Sequence, residues 1–94
     1  MPYFVYILCS VKDGKRYIGS TRNLGERLRR HSRGEVKATK HRRPLKLIYL
    51  EEHASLGQAL AREKLLKSWA GRIELGRILT ARGHGSAPNA GKLV

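Results

Sequence analysis

The feature that most constrains this chain is an Asp13-Gly14 pair set between two β-rich runs, Tyr3–Ser10 and Arg16–Thr21. Asp-Gly is a strong signal for a tight hairpin turn, because both central residues of the favoured turn need positive φ. The first run is almost wholly apolar, so it reads as a strand covered on both faces. If Asp13 and Gly14 are the two turn residues, Lys12 pairs with Lys15 and paired residue numbers sum to 27. Paired residues share a face, and the face alternates along each strand. Tyr6, Leu8 and Ser10 then point the same way as Thr21, Gly19 and Tyr17. Gly19 lies opposite Leu8 and leaves space between the two tyrosines. Tyr3, Val5, Ile7, Cys9 and Ile18 take the other face as core. The inference hangs on register, since a slip of one residue sends every side chain to the opposite face. Tyrosines also suit strands for packing alone, so neither one marks a site by itself.

Beyond the hairpin, Asn23 reads as the N-cap of a helix from about Leu24 to Ser32 that Gly34 ends. Glu35 to Arg43 is a polar, basic loop closed by Pro44. Leu45 to Leu50 is a third strand, followed by the acidic pair Glu51-Glu52. Ser55 caps a second helix that reaches Trp69 or Ala70. Gly71 is expected to break it, with Ile73 to Ala81 continuing as a shorter helix. These elements predict an α+β domain over residues 1–82, a small three-stranded antiparallel sheet flanked by helices. Residues 83–94 turn to Gly, Ser, Pro and Asn, a composition that predicts a disordered tail.

Charge narrows the partners. The chain has 20 Lys and Arg against 7 Asp and Glu, a formal net charge of +13. Between Arg22 and Lys46 ten basic residues stand against two glutamates, Glu26 and Glu35. Such a concentration favours a polyanion, DNA first and RNA as well, through release of phosphate counterions. The blander reading is the solvated surface of a small basic structural or ribosome-associated protein. Cys9 is the one cysteine, which excludes an internal disulfide and a cysteine-built zinc site, and its apolar neighbours predict a packed thiol. No apolar run approaches the ~20 residues of a membrane span and no signal segment opens the chain. The expectation is a cytoplasmic protein without a membrane partner.

Three further residues bear on chemistry. On the first helix Leu24, Leu28 and His31 share one stripe at ~100° per residue, and Arg27 borders it. Arg22, Arg29 and Arg30 project outward and suit contact with a phosphate backbone, as do Lys40, Arg42 and Arg43 in the basic stretch that follows. His31 fits a packed helix histidine as well as a catalytic one. On the second helix Glu63 lies about 20° from Leu56, on the core-facing edge. A glutamate there needs either a basic partner or a cation. Mg²⁺ takes one or two carboxylates together with substrate phosphate, so a lone carboxylate suits it.

In this order and near this spacing, Tyr6, Tyr17-Ile18-Gly19, Arg27, His31 and Glu63 resemble the GIY-YIG nuclease superfamily. The likeness is to its compact stand-alone bacterial members, and it runs from about Pro2 to Leu79. Tyr17-Ile18-Gly19-Ser20-Thr21, Arg43-Pro44, Ala61-Arg62-Glu63-Lys64 and Trp69 extend it. The resemblance implies metal-dependent hydrolysis of DNA phosphodiester bonds. Tyr17 or Tyr6 would help activate the attacking water, Arg27 would steady charge on the phosphate, and His31 would assist proton handling. Glu63 would hold Mg²⁺ or Mn²⁺. The first triplet reads Val5-Tyr6-Ile7 where the family name has Gly-Ile-Tyr. No asparagine occurs between Asn23 and Asn89, so the asparagine that many members carry after the glutamate helix is not assigned here. No sequence-reading module is evident, which leaves targeting to the basic surface, to DNA structure or to a protein partner. The alternative on the same fold is a basic nucleic-acid-binding module without catalysis.

Overall fold

A computed structural model describes residues 2–82 and 92–94. The order of elements is β1 (Tyr3–Ser10), β2 (Arg16–Thr21), α1 (Leu24–Ser32), β3 (Leu45–His53), α2 (Leu56–Lys67), α3 (Trp69–Arg82) and β4 (Lys92–Leu93). The sheet runs β2-β1-β3-β4, antiparallel throughout. The expected three strands are thus joined by a two-residue fourth. Of the stretch expected to be disordered, residues 83–91 lie outside the described residues, while Lys92 and Leu93 pair with Leu47 and Lys46. No helix among the described residues is long and apolar enough to cross a membrane.

β1 sits between β2 and β3, which explains its unbroken apolar composition: Val5, Tyr6, Ile7 and Leu8 have no exposed surface. Its two faces feed two cores. Val5 and Ile7 pack with Tyr49, Ala59, Leu66 and Leu75 beneath α2 and α3. Tyr6 and Leu8 pack with Leu45 and Leu47, and Tyr17, Leu24 and Leu28 close over them from β2 and α1. Each large side chain sealed in this way contributes roughly 1.5–3 kcal/mol. Cys9 departs from expectation. It is only half-buried and belongs to neither core, its thiol lying 3.5 Å from the Gly14 carbonyl.

The hairpin register differs from the expected one by two residues. Tyr6 pairs with Gly19 and Leu8 with Tyr17, so paired numbers sum to 25. Ser10 causes the change. Its amide donates to the Lys15 carbonyl at 2.9 Å, and its hydroxyl oxygen accepts from the amides of Lys12 and Asp13, both at 3.1 Å. A four-residue loop, Val11 to Gly14, replaces the two-residue turn, with Gly14 at φ 73°. A shift of two preserves side-chain alternation, so both tyrosines keep their common face.

The first helix matches its sequence signals. The Asn23 side chain accepts from the Glu26 amide at 3.1 Å, and Gly34 turns the chain at φ 77°. Gly71, in contrast, breaks nothing. The interruption between α2 and α3 falls at Ser68, whose backbone is extended and whose hydroxyl accepts from the Gly71 amide at 3.1 Å. Gly71 is required because a Cβ there would lie 1.8 Å from the Leu65 carbonyl oxygen. Its missing side chain lets α3 fold back tightly against the end of α2. β3 also runs past Leu50 to His53 because Glu51 is held from below. The Arg62 guanidinium grips both Glu51 oxygens at 2.9–3.0 Å and donates to Glu74 at 3.0 Å.

Candidate active site

The alternation of β1 sends Tyr6 into the core under α1, and α1 brings His31 to meet it. The Tyr6 hydroxyl lies 2.9 Å from His31 Nε2, and His31 Nδ1 lies 2.8 Å from the Thr39 hydroxyl. All three residues are fully buried. The His31 ring stands edge-on to Tyr6 and Tyr17, with centroids 5.6 and 5.0 Å away, and the two tyrosines are 6.2 Å apart. Gly19 makes this possible. A Cβ at that position would sit 2.6 Å from the Tyr6 hydroxyl oxygen and 3.1 Å from the Tyr17 ring. The space expected beside Gly19 is therefore the seat of the Tyr6 hydroxyl.

The electrostatics favour neutral groups at rest. Burial first, then the positive charges of Arg27 and Arg30, push His31 down to about 4. Burial, with Tyr17 nearby, pushes Tyr6 up to about 12 against the pull of Arg27. A neutral imidazole has one N–H and one free lone pair. When Nδ1–H donates to Thr39, Nε2 accepts from the Tyr6 hydroxyl; the other tautomer reverses both bonds. Arg27 is half-buried, and its Nε is a buried donor without a hydrogen-bond partner among the described residues. Such an orphan is costly in an apolar setting. It fits a site that an anionic oxygen enters.

Glu63 comes from α2, on the other face of the sheet. Its Oε1 accepts from the Ser20 hydroxyl and its Oε2 from Lys67 Nζ, each at 2.6 Å. Burial raises the affinity of this carboxyl for its proton, but the Lys67 and Ser20 hydrogen bonds and the charges of Lys67 and Arg27 outweigh it, so it titrates below the usual range. The two halves meet at β2, the edge strand. Gly19 receives the Tyr6 hydroxyl on one face, and the next residue, Ser20, holds Glu63 on the other. Arg27 acts electrostatically on both Tyr6 and Glu63.

Sequence reasoning, through the family resemblance, put Tyr6, Tyr17, Arg27, His31 and Glu63 in one site, and the structure brings the first four together; Glu63 adjoins them across β2. It did not identify Ser20, Thr39 or Lys67. Strand alternation turns Ser20 toward α2, and Glu63-to-Lys67 is an i,i+4 pair, so both had readable signals. Thr39 lies in the loop after α1 and had none. The basic residues divide. Arg29 is paired with Glu26 at 3.1 Å, Arg30 with Glu35 at 3.9 Å and Arg42 with Asp13 at 3.5 Å. Arg43 donates to the Lys40 and Ser32 carbonyls and packs over Gly34, clamping the loop. Arg22 and Lys40 are exposed.

No group of three or more His, Cys, Asp or Glu side chains able to hold a metal occurs among the described residues. An all-protein cage is thus not what the described residues offer. A single ionised carboxylate on a partly exposed edge does fit Mg²⁺ or Mn²⁺ that keeps most of its waters. Glu63 is the residue that would hold it, with Lys67 displaced from Oε2.

The comparisons with known proteins agree with this fold. Residues 2–75 match the model of the GIY-YIG catalytic domain. UPF0213 proteins of Staphylococcus aureus strains Mu3 and Mu50 are each 39% identical over 75 residues, which covers 78% of this chain and 89% of theirs. The solution NMR structure of a UPF0213 protein from Bacillus halodurans superposes with a TM-score of 0.52 at 31% identity. It covers 83% of this chain and 85% of its own. The chain belongs to the GIY-YIG family, a superfamily of nucleases.

Proposed function

We propose that this protein is a metal-dependent endonuclease that hydrolyses DNA phosphodiester bonds, with selectivity for DNA structure rather than sequence. The observation that carries the reading is the orphaned Arg27 Nε, buried beside the Tyr6–His31 pair and across one edge strand from the ionised Glu63. A guanidinium donor left open next to two phenols is arranged for an anionic oxygen, and a phosphodiester supplies one.

Tyr17, the half-buried tyrosine, orients the attacking water, and the sealed Tyr6 links it to His31. As the water adds to phosphorus, the bond to the leaving sugar oxygen breaks and that oxygen takes a proton from solvent. The water's proton goes to Tyr17, Tyr17 passes its own to the Tyr6 oxygen, and the Tyr6 proton moves to His31 Nε2 along the 2.9 Å hydrogen bond already in place. His31 is a weak base because it is buried and, secondarily, because Arg27 and Arg30 repel its protonated form. A phosphate bound to Arg27 offsets one of those charges and strengthens His31 when a base is needed. Arg27 steadies the charge that builds on the phosphate oxygens. A divalent cation held by Glu63 would supply further charge neutralisation and lower the pKa of a bound water. Selectivity for DNA structure follows from the lack of a base-reading helix: the exposed cations Arg22, Arg29 and Lys40, with the half-buried Arg30, address backbone phosphates.

The Lys67–Glu63 ion pair favours a second reading, a binding module in which the lysine permanently fills the cation's place. A plasmid and branched-DNA cleavage assay separates the two. Wild type and Glu63→Ala are compared at low salt with and without Mg²⁺ or Mn²⁺. Cation-dependent nicking that disappears in the variant supports the nuclease; tight binding by both with no cleavage supports the module.

A further inference from the structure

A groove of about 620 Å³ opens beside the candidate site, and the basic residues singled out from the sequence contribute little to it. Tyr17, Ile18 and Leu75 are its half-buried or buried lining, and Lys15, Arg16, Lys67 and Arg72 are exposed around them. Arg42 also reaches it, but Asp13 partly neutralises that charge. Asp13 acts on Lys15 as well, through the Lys15 amide and charge, while among the described residues no carboxylate lies within 4 Å of the Arg16 or Arg72 side chain. Arg29 and Arg30 of α1, and Arg33 just beyond it, each lie within 4 Å of a glutamate. Arg16 and Arg72 therefore stand as uncompensated cations on the rim of the groove, beside Lys15 and the Glu63-paired Lys67. Both halves of the candidate site border it, Tyr17 from the phenol cluster and Lys67 from the Glu63 pair.

The second observation is Trp69, 78% exposed and the most exposed of the large apolar side chains described. It is the first residue of α3 and lies three residues before Arg72, so the two are neighbours on one helix face. An indole left in water costs free energy unless something covers it. A duplex offers phosphates but keeps its base faces stacked. An unpaired strand offers both, phosphates for a cationic rim and base faces for aromatic and apolar surface.

We infer that the Lys15–Arg16–Lys67–Arg72 groove, with Trp69 at its α3 side, binds an unpaired nucleic-acid strand and feeds it toward Tyr17. This rests on the nuclease reading for the direction of the strand but not for the binding itself. The substrate class it implies is DNA with a single-stranded segment, such as a flap, gap or frayed end.

The chain has one tryptophan, so its emission reports on Trp69 alone. The test titrates the full chain, in chelator and without divalent cation, with a dT oligomer of about 12 nucleotides, within the site sizes of strand-binding surfaces. The arms are an rU oligomer and a duplex of the same length, and anisotropy of labelled strands gives affinities. The dT oligomer should quench Trp69 and bind more tightly than the duplex. Trp69→Ala should weaken strand binding roughly tenfold. Arg16→Ala with Arg72→Ala should flatten the salt dependence by about 1.4, near 0.7 per lost single-strand contact. Far-UV circular dichroism checks that these exposed-site variants fold. Equal binding of rU extends the site to RNA, and weaker binding confines it to DNA; either supports the groove. Duplex bound as tightly as the strand, unchanged Trp69 emission at saturation, or a salt slope unmoved in the double variant overturns the inference. Cleavage is not read, so a failed nuclease assay leaves this result standing.

Discussion

Replacing Gly19 by alanine tests the site at its tightest point. The added Cβ would lie 2.6 Å from the Tyr6 hydroxyl oxygen and 2.7 Å from Cζ, well inside van der Waals contact. Tyr6 has no exposed surface and its hydroxyl is bonded to His31, itself sealed and held by Thr39, so the ring has no free direction to move. Either β2 bends away, or the Tyr6–His31 bond opens and leaves buried polar groups unpaired. Overpacking costs about 1–3 kcal/mol and an unsatisfied buried group about 1–3 kcal/mol, as alternative routes rather than a sum. The expected loss is ~2–3 kcal/mol, a fall in Tm on the order of 10–20 °C for a domain of this size. Urea unfolding of Gly19→Ala, of Tyr6→Leu and of the double variant completes a cycle. Leucine removes both offending atoms, so the alanine should cost under ~1 kcal/mol in that background, since alanine otherwise suits a strand better than glycine. A Gly19→Ala loss below about 0.5 kcal/mol in the wild type, or an equal loss in both backgrounds, would refute the assignment of Gly19 to the Tyr6 seat.

Other substitutions probe separate links. Glu63→Gln keeps the shape while removing the charge, and should abolish cation-dependent nicking with DNA affinity unchanged or higher; retained nicking removes Glu63 from the metal role. Arg62→Ala strands Glu51, which is 15% exposed and otherwise held by Tyr49 and His53. The expected loss is about 2–3 kcal/mol, less than for a fully buried pair, and a urea midpoint unmoved within error contradicts it. His31 gives a pH dependence. Its folded pKa of about 4 lies below the unfolded ~6.5, so the unfolded chain binds the proton more readily and stability falls as pH drops from about 6.5 to 4. The loss attributable to this group is about 3 kcal/mol. Glu63, Glu51 and Asp13, which also titrate low, add acid lability of their own, so the measurement is the difference between wild type and His31→Gln. Parallel curves for the two proteins would show that His31 is not buried neutral.

By itself the sequence determined everything governed by a short repeat. Strand periodicity put Tyr6 and Tyr17 on one face, and that survived a two-residue error in register because two residues make one full alternation. Helical periodicity set Leu24, Leu28 and His31 on the inner stripe of α1, and Asn23 and Gly34 bounded that helix through side-chain capping and positive φ. The order of Tyr6, Tyr17, Arg27, His31 and Glu63 was enough to name the family. Tertiary structure decided what these residues touch. Ser10 lengthened the hairpin through hydrogen bonds that no turn dipeptide encodes. Gly71 became a point of helix–helix contact only once α3 folded back on Leu65. Ser20, forty-three positions before Glu63, met it only when α2 packed on the edge strand. Most decisive was the distribution of charge. Pairing with Glu26, Glu35 and Asp13 left Arg16 and Arg72 as the unpaired cations of one groove, and which ion pairs form depends on distances of a few ångströms that composition does not carry.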